Sequence, residues 1–170
     1  MELASYNIRQ ATEKDVEQIK KNIRNTLANP EAKGLRRSLR DAIARHELLV
    51  LERYDSRERA NVVEAFIEWR TRVDGTITIR DIGTAGEEVN EGMAKRLLRE
   101  LLRLSSPPEA RVKLRADLSQ WNSIFQDLPG FFLEGQEYSR PHWRNIWLWT
   151  PEAEKRARTP RERMRPRRGG

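Results

Sequence analysis

The stretch TITIRDIGTAGEEVNEGMAKRLLRELLRL, residues 76–104, decides the fold. Its first part alternates between apolar and polar residues, which predicts a strand over 76–85. Its last part predicts a helix, because apolar residues recur there at three- and four-residue spacing (Met93, Leu97, Leu98, Leu101, Leu102 and Leu104). The centre of the predicted structure is therefore a strand that leads through a glycine-containing loop into a helix.

Upstream of this stretch the sequence predicts a hairpin and two helices. Residues 61–73 are strand-like, and Asp74-Gly75 predicts a two-residue hairpin turn into the strand 76–85. The earlier elements are predicted as a strand over 6–10, a helix from Thr12 to the Asn29-Pro30 break, a helix over 31–46 and a strand over 48–51.

Downstream, the pattern predicts a strand over 111–117, a helix over 119–128, and strands over 131–138 and 143–149. The order β-α-α-β-β-β-α-β-α-β-β predicts an α/β (α+β) fold with a mixed, mostly antiparallel sheet of about seven strands, flanked by helices. We assign residues 1–150 to one domain. Residues 151–170 are rich in Arg and Pro, and we expect them to form a disordered tail.

Composition narrows the function classes. The chain has no cysteine and only two histidines, His46 and His142, so we expect no disulfide, no thiolate chemistry and no metal. No apolar run approaches the length of a membrane helix, and residues 1–10 do not resemble a signal peptide. We therefore expect a soluble cytoplasmic protein without a membrane partner. The arginine-rich, cysteine-free composition suggests a bacterial source.

The positive charge is concentrated at the C-terminus. The whole chain carries +7, with 33 basic and 26 acidic residues, and residues 151–170 hold eight of the basic and three of the acidic ones. The tail therefore carries +5 and the remainder +2. Nucleic acid is thus a candidate partner only through the tail, the alternative being a solvated terminus.

The element order and one short motif resemble the GNAT superfamily of N-acetyltransferases over residues 6–150. The family places Gln/Arg-x-x-Gly-x-Gly/Ala where its fourth strand meets a helix. The matching residues are Val89, Asn90, Glu91, Gly92, Met93 and Ala94. Gly92 and Ala94 fit this pattern, whereas Val89 replaces the usual Gln or Arg.

The resemblance implies acetyl-CoA as cosubstrate and no metal. Residues 89–94 would hold its pyrophosphate through backbone N–H groups at a helix N-terminus. Ile82, Gly83 and Thr84 would offer backbone groups to the thioester carbonyl and the pantetheine arm. The alternative is an ordinary helix start, which Glu87, Glu88 and Glu91 favour because carboxylates stabilise an empty helix N-terminus.

A second resemblance lies at residues 125–131, FQDLPGF, which follow the family's Phe-Tyr-x-x-x-Gly-Phe pattern. Gln126 replaces the tyrosine that often protonates the departing thiolate. The resemblance assigns Asn122 and Gln126, on the same predicted helix, to the cofactor.

Candidate acid and base groups follow from the hairpin. Counting back from a two-residue turn places Glu68 opposite Asp81, and facing carboxylates raise each other's pKa towards the range of a general base. Glu64 lies four residues before Glu68. The alternative is that arginine side chains neutralise the two carboxylates and that all of these side chains are exposed to solvent. Tyr138 is the remaining phenol for a general acid.

The resemblance thus predicts an acetyl-CoA-dependent N-acetyltransferase that acts on a primary amine of an unidentified acceptor. The alternative is a catalytically degenerate GNAT-like domain that binds or scaffolds, with a basic tail for nucleic acid or another partner. GNAT proteins often form dimers, so a homodimer stays open.

Overall fold

The computed structural model describes residues 6–28 and 35–158. These residues form β1 (Tyr6–Gln10), α1 (Glu13–Asn22), β2 (Ile23–Thr26), α2 (Leu35–Ala44), β3 (Leu48–Asp55), β4 (Ala60–Thr71), β5 (Ile77–Ala85), α3 (Glu91–Ser105), β6 (Ala110–Arg115), α4 (Ser119–Asp127), β7 (Phe131–Ser139), β8 (His142–Trp149) and α5 (Pro151–Arg158). The part of the predicted second helix at 31–34 lies outside the described residues.

The strands form one mixed sheet in the order β1-β3-β4-β5-β6-β8-β7, with β2 attached to β5. The β5–β6 pair is parallel and is joined by α3, while the other pairs are antiparallel. This confirms the predicted mixed, mostly antiparallel α/β fold, with eight strands in the described residues instead of about seven.

The additional strand is β2, which the sequence assigns to the first helix. Helix α1 ends at Asn22, and residues 23–26 pair with β5 in antiparallel orientation. Ile23 and Leu27 match a helical spacing, but Ile23 is buried in β2 and Leu27 directly after it, 6% and 5% exposed. Pairing with the sheet therefore overrides the local helical pattern.

The turn between β4 and β5 has three residues, so the predicted two-residue turn is wrong. The Arg72 N–H donates to the Thr76 carbonyl at 2.8 Å, which leaves 73–75 as the loop. Gly75 has φ +88°, a conformation that glycine adopts without steric cost. Next to the turn, the pairing of β4 with β5 is therefore shifted by one residue from the predicted register.

A β-bulge corrects that register further along the hairpin. Trp69 pairs with Ile79, whereas Glu68 pairs with Asp81, so Arg80 is the extra residue on β5. The predicted facing of Glu68 and Asp81 is therefore confirmed, although the turn from which it was counted is not the one that forms.

Two apolar cores cover the two faces of the sheet. On one face, α3 and α4 bury residues such as Leu97 and Phe125 against the strands. On the other face, α1 and α2 bury Ile19 and Leu39 against Phe66 of β4. Glu68 follows Phe66 by two residues, so its side chain lies on the α1–α2 face.

The C-terminal segment begins as a helix. Residues 151–158 form α5, with Glu152 and Glu154 in its first turn and Lys155, Arg156 and Arg158 in its last. This charge order suits the helix dipole. The prediction of disorder from residue 151 is thus wrong for 151–158, and residues 159–170 lie outside the described part of the chain.

Candidate active site

The parallel strands β5 and β6 separate along their length. They pair only where Ile77–Ile79 lies beside Ala110–Val112. Beyond that point β6 continues along β8 alone, and β5 continues towards α3. The two strands therefore diverge and leave a gap at the C-terminal end of β5.

Strand β2 enters this gap and pairs with β5. Thr26 is the partner of Gly83 and Asn25 of Thr84, and the Leu27 N–H donates to the Ile82 carbonyl at 2.8 Å. The backbone edge that the sequence assigns to the thioester and pantetheine is thus paired with the chain's own strand. β2 pairs with no other described strand, so its second edge is open.

Gly83 accommodates this internal contact. A Cβ atom at this position would lie 2.5 Å from Phe66 Cε1 and 2.6 Å from Ile23 Cγ2. The resemblance assigns the backbone of Gly83 to the cofactor, whereas the groups that approach Gly83 in the structure are two side chains of the α1–α2 core.

Glu68 and Asp81 form a buried carboxylate pair, with 6% and 4% of their surfaces exposed. Ser38 Oγ of α2 donates to Glu68 Oε2 at 2.5 Å. Asp81 Oδ1 accepts the N–H groups of Ala28 and Ile82, both at 2.9 Å. Within the described residues, no salt bridge reaches either carboxylate. The pair is therefore not neutralised by arginine side chains in a solvent-exposed ladder.

Burial is the main cause of a raised pKa at both carboxyl groups. The pKa of Asp81 rises to about 7, and the charge of Glu68 acts in the same direction. The pKa of Glu68 also rises, although the hydrogen bond from Ser38 and the charge of Arg80 oppose the shift. A carboxyl group with a pKa near neutrality is suited to proton transfer at physiological pH.

The structure places Glu64 and Tyr138 apart from this pair. Glu64 lies at a β-bulge of β4, and its Oε1 is 2.7 Å from Arg53 Nη2. Tyr138 is 57% exposed near the end of the β7–β8 hairpin, where its ring packs edge-on against Trp143. No described contact joins either residue to Glu68 or Asp81.

The N-terminus of α3 retains free donors. Asn90 caps the helix, because its Oδ1 accepts the Met93 N–H and its own N–H donates to Thr84 Oγ1. Within the described residues, the N–H groups of Glu91 and Gly92 have no hydrogen-bond partner. Together with the helix dipole, such N–H groups bind anions.

A groove of about 440 Å³ runs beside this helix start. It is lined by Arg24, Asn25 and Thr26 of β2, by Val89, and by residues 117–121 at the start of α4. The groove and the free N–H groups suit a long ligand with a phosphate group, but the ligand would meet the open edge of β2 instead of β5.

The two α4 residues assigned to the cofactor differ in their contacts. Asn122 Nδ2 donates to the carbonyls of Arg115 and Leu118, and its Oδ1 accepts from Asn145 and Trp147. Its amide therefore ties α4 to β6 and β8 and leaves little capacity for a ligand. Gln126 is exposed, and no hydrogen bond of its side chain occurs in the described part of the chain.

Two further features of the described residues bear on function. They contain no cluster of three or more His, Cys, Asp or Glu side chains placed to hold a metal ion. They also contain no helix that is both long and apolar enough to cross a bilayer.

Solved structures with the same arrangement are acetyltransferases. The ribosomal-protein-S18-alanine N-acetyltransferase of Escherichia coli superposes with a TM-score of 0.68 at 14% identity, covering 85% of this chain and 93% of that one. The chain has the GNAT fold. No protein-family model and no curated protein matches the sequence.

Two further GNAT-fold neighbours extend the comparison. A Bacillus cereus acetyltransferase of the GNAT family has a TM-score of 0.65 at 14% identity, covering 85% of this chain and 96% of that one. A Salmonella typhimurium protein solved with its cofactor acetyl-CoA has a TM-score of 0.61 at 15% identity, covering 85% and 93%. The likeness extends over nearly the whole length of each neighbour.

Residues 24–26 are the part of this GNAT-fold site that the sequence analysis missed. Their signal is weak, because Ile23 and Leu27 flank them at a spacing that also suits a helix. The β-branched Thr26 and the polar Asn25 are less favourable in a helix than the preceding lysines, which is the one local indication of a break.

Proposed function

We propose that the protein is an acetyl-CoA-dependent N-acetyltransferase that acts on a primary amine. The observation that carries the proposal is the buried Glu68–Asp81 pair beside the gap between β5 and β6 of a GNAT fold. A site that removes a proton from an amine needs a group of this kind, held at a fixed place and titrating near neutral pH.

The cofactor would lie in the groove beside α3. Glu91 and Gly92 offer free N–H groups for a phosphate, and Val89 lines the groove together with residues 24–26. When bound, acetyl-CoA supplies an acetyl group as a thioester, so that transfer forms one N–C bond, breaks one C–S bond and releases the thiol.

Asp81 is the proposed general base. An alkylamine with a pKa of about 10.4, like that of lysine, is protonated at neutral pH and cannot attack a carbonyl. Asp81 accepts one of its protons, directly or through a water molecule, and the backbone N–H groups of Ala28 and Ile82 fix the position of the carboxyl group. Glu68 acts through its charge, which raises the pKa of Asp81. Tyr138 remains the candidate that protonates the thiolate, and a Tyr138→Phe variant tests this role.

The first test is cofactor binding, followed by turnover. Acetyl-CoA is titrated into the full chain by calorimetry, and thiol release is then measured with a panel of primary amines. We expect saturable binding, amine-dependent thiol release, and a loss of turnover but not of binding in Asp81→Asn. An absence of binding at millimolar acetyl-CoA would contradict the proposal.

A second candidate is a GNAT-fold binding domain without catalysis. The pairing of β2 with Ile82–Thr84 supports it, because that edge is not open to a ligand. The replacement of the family's tyrosine by Gln126 points the same way. This candidate predicts no thiol release with any amine, so the turnover assay separates the two.

A further inference from the structure

A small basic cavity lies beside the gap between β5 and β6. Its volume is about 160 Å³, and it is lined by Leu27, Ala28, Arg80, Lys113, Arg115 and Arg144, together with Leu114. At about 30 Å³ for each water molecule, this is the space of about five waters. It can hold one small functional group with a short carbon chain.

The lining of the cavity has four basic side chains and no acidic one. Lys113 Nζ is 3.3 Å from Glu137 Oε2, and Arg115 Nη2 is 2.7 Å from Asp117 Oδ2. Within the described part of the chain, Arg80 and Arg144 form neither a hydrogen bond nor an ion pair. Two of the four cations thus have a carboxylate partner in direct contact, whereas Arg80 acts on Glu68 only through its charge at longer range.

The backbone register adds to the repulsion. Arg115 of β6 and Arg144 of β8 are directly opposed partners across the sheet. Like charges in this position destabilise a sheet, and a bound anion between them would reverse the sign of the interaction. On the other side of β8, Glu137 of β7 is the register partner of Arg144, but its carboxylate is 3.3 Å from Lys113 Nζ, and no ion pair joins it to Arg144 within the described residues.

The cavity also adjoins the proposed base. Ala28, one of its walls, donates its N–H to Asp81 Oδ1 at 2.9 Å, and Arg80 directly precedes Asp81 on β5. A group held in the cavity would therefore lie close to the carboxylate pair. The cofactor groove at 24–26, 89 and 117–121 shares no lining residue with the cavity.

We propose that this cavity binds a carboxylate or phosphate group of the acceptor through Arg80 and Arg144, so that the acceptor is a small amine that carries a negative charge. The inference rests on the proposed acetyltransferase function only in taking the bound molecule to be the acceptor. The anion site itself depends only on the geometry of the cavity and can be measured without acetyl-CoA.

The test compares three probes that share a primary amine. Binding is measured by calorimetry on the full chain at low salt, without acetyl-CoA, for two probes with an anionic group, 4-aminobutyrate and 2-aminoethyl phosphate, and for 4-aminobutanamide, which has the same protonated amine but no anionic group. We expect at least one anionic probe to bind tenfold or more tightly than the amide, and the tighter one identifies the anion as carboxylate or phosphate. The proposal is overturned if neither anionic probe binds more tightly than the amide.

Variants locate the site. In Arg80→Gln/Arg144→Gln, the Kd of the preferred anionic probe should rise tenfold or more, while that of the amide stays unchanged. Arg57→Gln, at an exposed turn between β3 and β4, is the matched control and should bind as the wild type does. Each single variant is measured as well, with its melting temperature, in case the double variant does not fold. Wild-type affinity in every cavity variant would place the anion elsewhere and overturn the proposal.

Thiol release in the presence of acetyl-CoA separates this inference from the proposed function. Tight anion binding without turnover with any amine would refute the acetyltransferase and leave the anion site in place. Equal turnover of amines with and without an anionic group would leave the enzyme in place and refute the claim that the cavity binds the acceptor.

Discussion

Glu68 and Asp81 face each other across β4 and β5, 6% and 4% exposed, and within the described residues no salt bridge reaches either carboxylate. Burying a carboxylate without a cation is costly, so such a group tends to hold its proton. Protonation of the pair should therefore affect both the stability of the chain and the proposed chemistry.

The contribution of Asp81 to stability should decrease as the pH rises from about 4 towards 7. The pKa of Asp81 is raised from 3.8 to about 7 in the folded chain, so the folded state binds more protons than the unfolded state between these values. The resulting stabilisation is complete below about pH 4 and is lost as the pH approaches 7. Urea unfolding of wild type and Asp81→Asn from pH 4 to 8 measures it, since asparagine can still accept both N–H groups. We expect the stability of the variant relative to wild type to rise with pH over this range, and parallel curves would contradict the shifted pKa.

The pH dependence of turnover should move when Glu68 is neutralised. The charge of Glu68 raises the pKa of Asp81, so Glu68→Gln should lower it and shift the acidic limb of kcat/KM to lower pH. Asp81→Asn should remove that limb and most of the activity. Glu64→Gln is the control, because Glu64 pairs with Arg53 at the bulge and should leave the profile in place. An unshifted limb in Glu68→Gln would remove Glu68 from the mechanism.

Enlarging Gly83 should destabilise the fold. An alanine Cβ would lie 2.5 Å from Phe66 Cε1 and 2.6 Å from Ile23 Cγ2, so side chains or β2 must shift. Overpacking of this kind costs about 1–3 kcal/mol in the free energy of unfolding. Gly135→Ala is the matched control, because no atom lies within 4 Å of its Cβ position. Equal denaturation midpoints for the two variants would show that β2 does not pack against Gly83.

A disulfide can establish which edge the cofactor uses. Ile23 and Ala85 are partners across β2 and β5, and the chain has no cysteine, so Ile23→Cys/Ala85→Cys can form only this intramolecular bond. If acetyl-CoA binds along the open edge of β2, as proposed, its Kd should be similar in the oxidised and reduced variant. A tenfold or greater loss on oxidation alone would mean that β2 must leave β5 before the cofactor binds.

Local patterns predict the central elements of this fold well. The alternation at residues 76–85 and the leucine spacing in 93–104 each have one stable structural reading, so β5 and α3 form as expected. The facing of Glu68 and Asp81 was predicted as well, but only because two one-residue differences, in the turn and at Arg80, offset each other.

What the sequence by itself determined is the order of the elements, and with it the GNAT fold, because hydrophobic periodicity reports which face of each segment is buried. Only the tertiary structure decided that residues 23–26 form a strand, since an unpaired edge of β5 attracts a segment whose own preference is helical. It also decided that Arg80, Arg115 and Arg144 surround one cavity. These three arginines lie on three strands far apart in sequence, and only the pairing of the sheet brings them together.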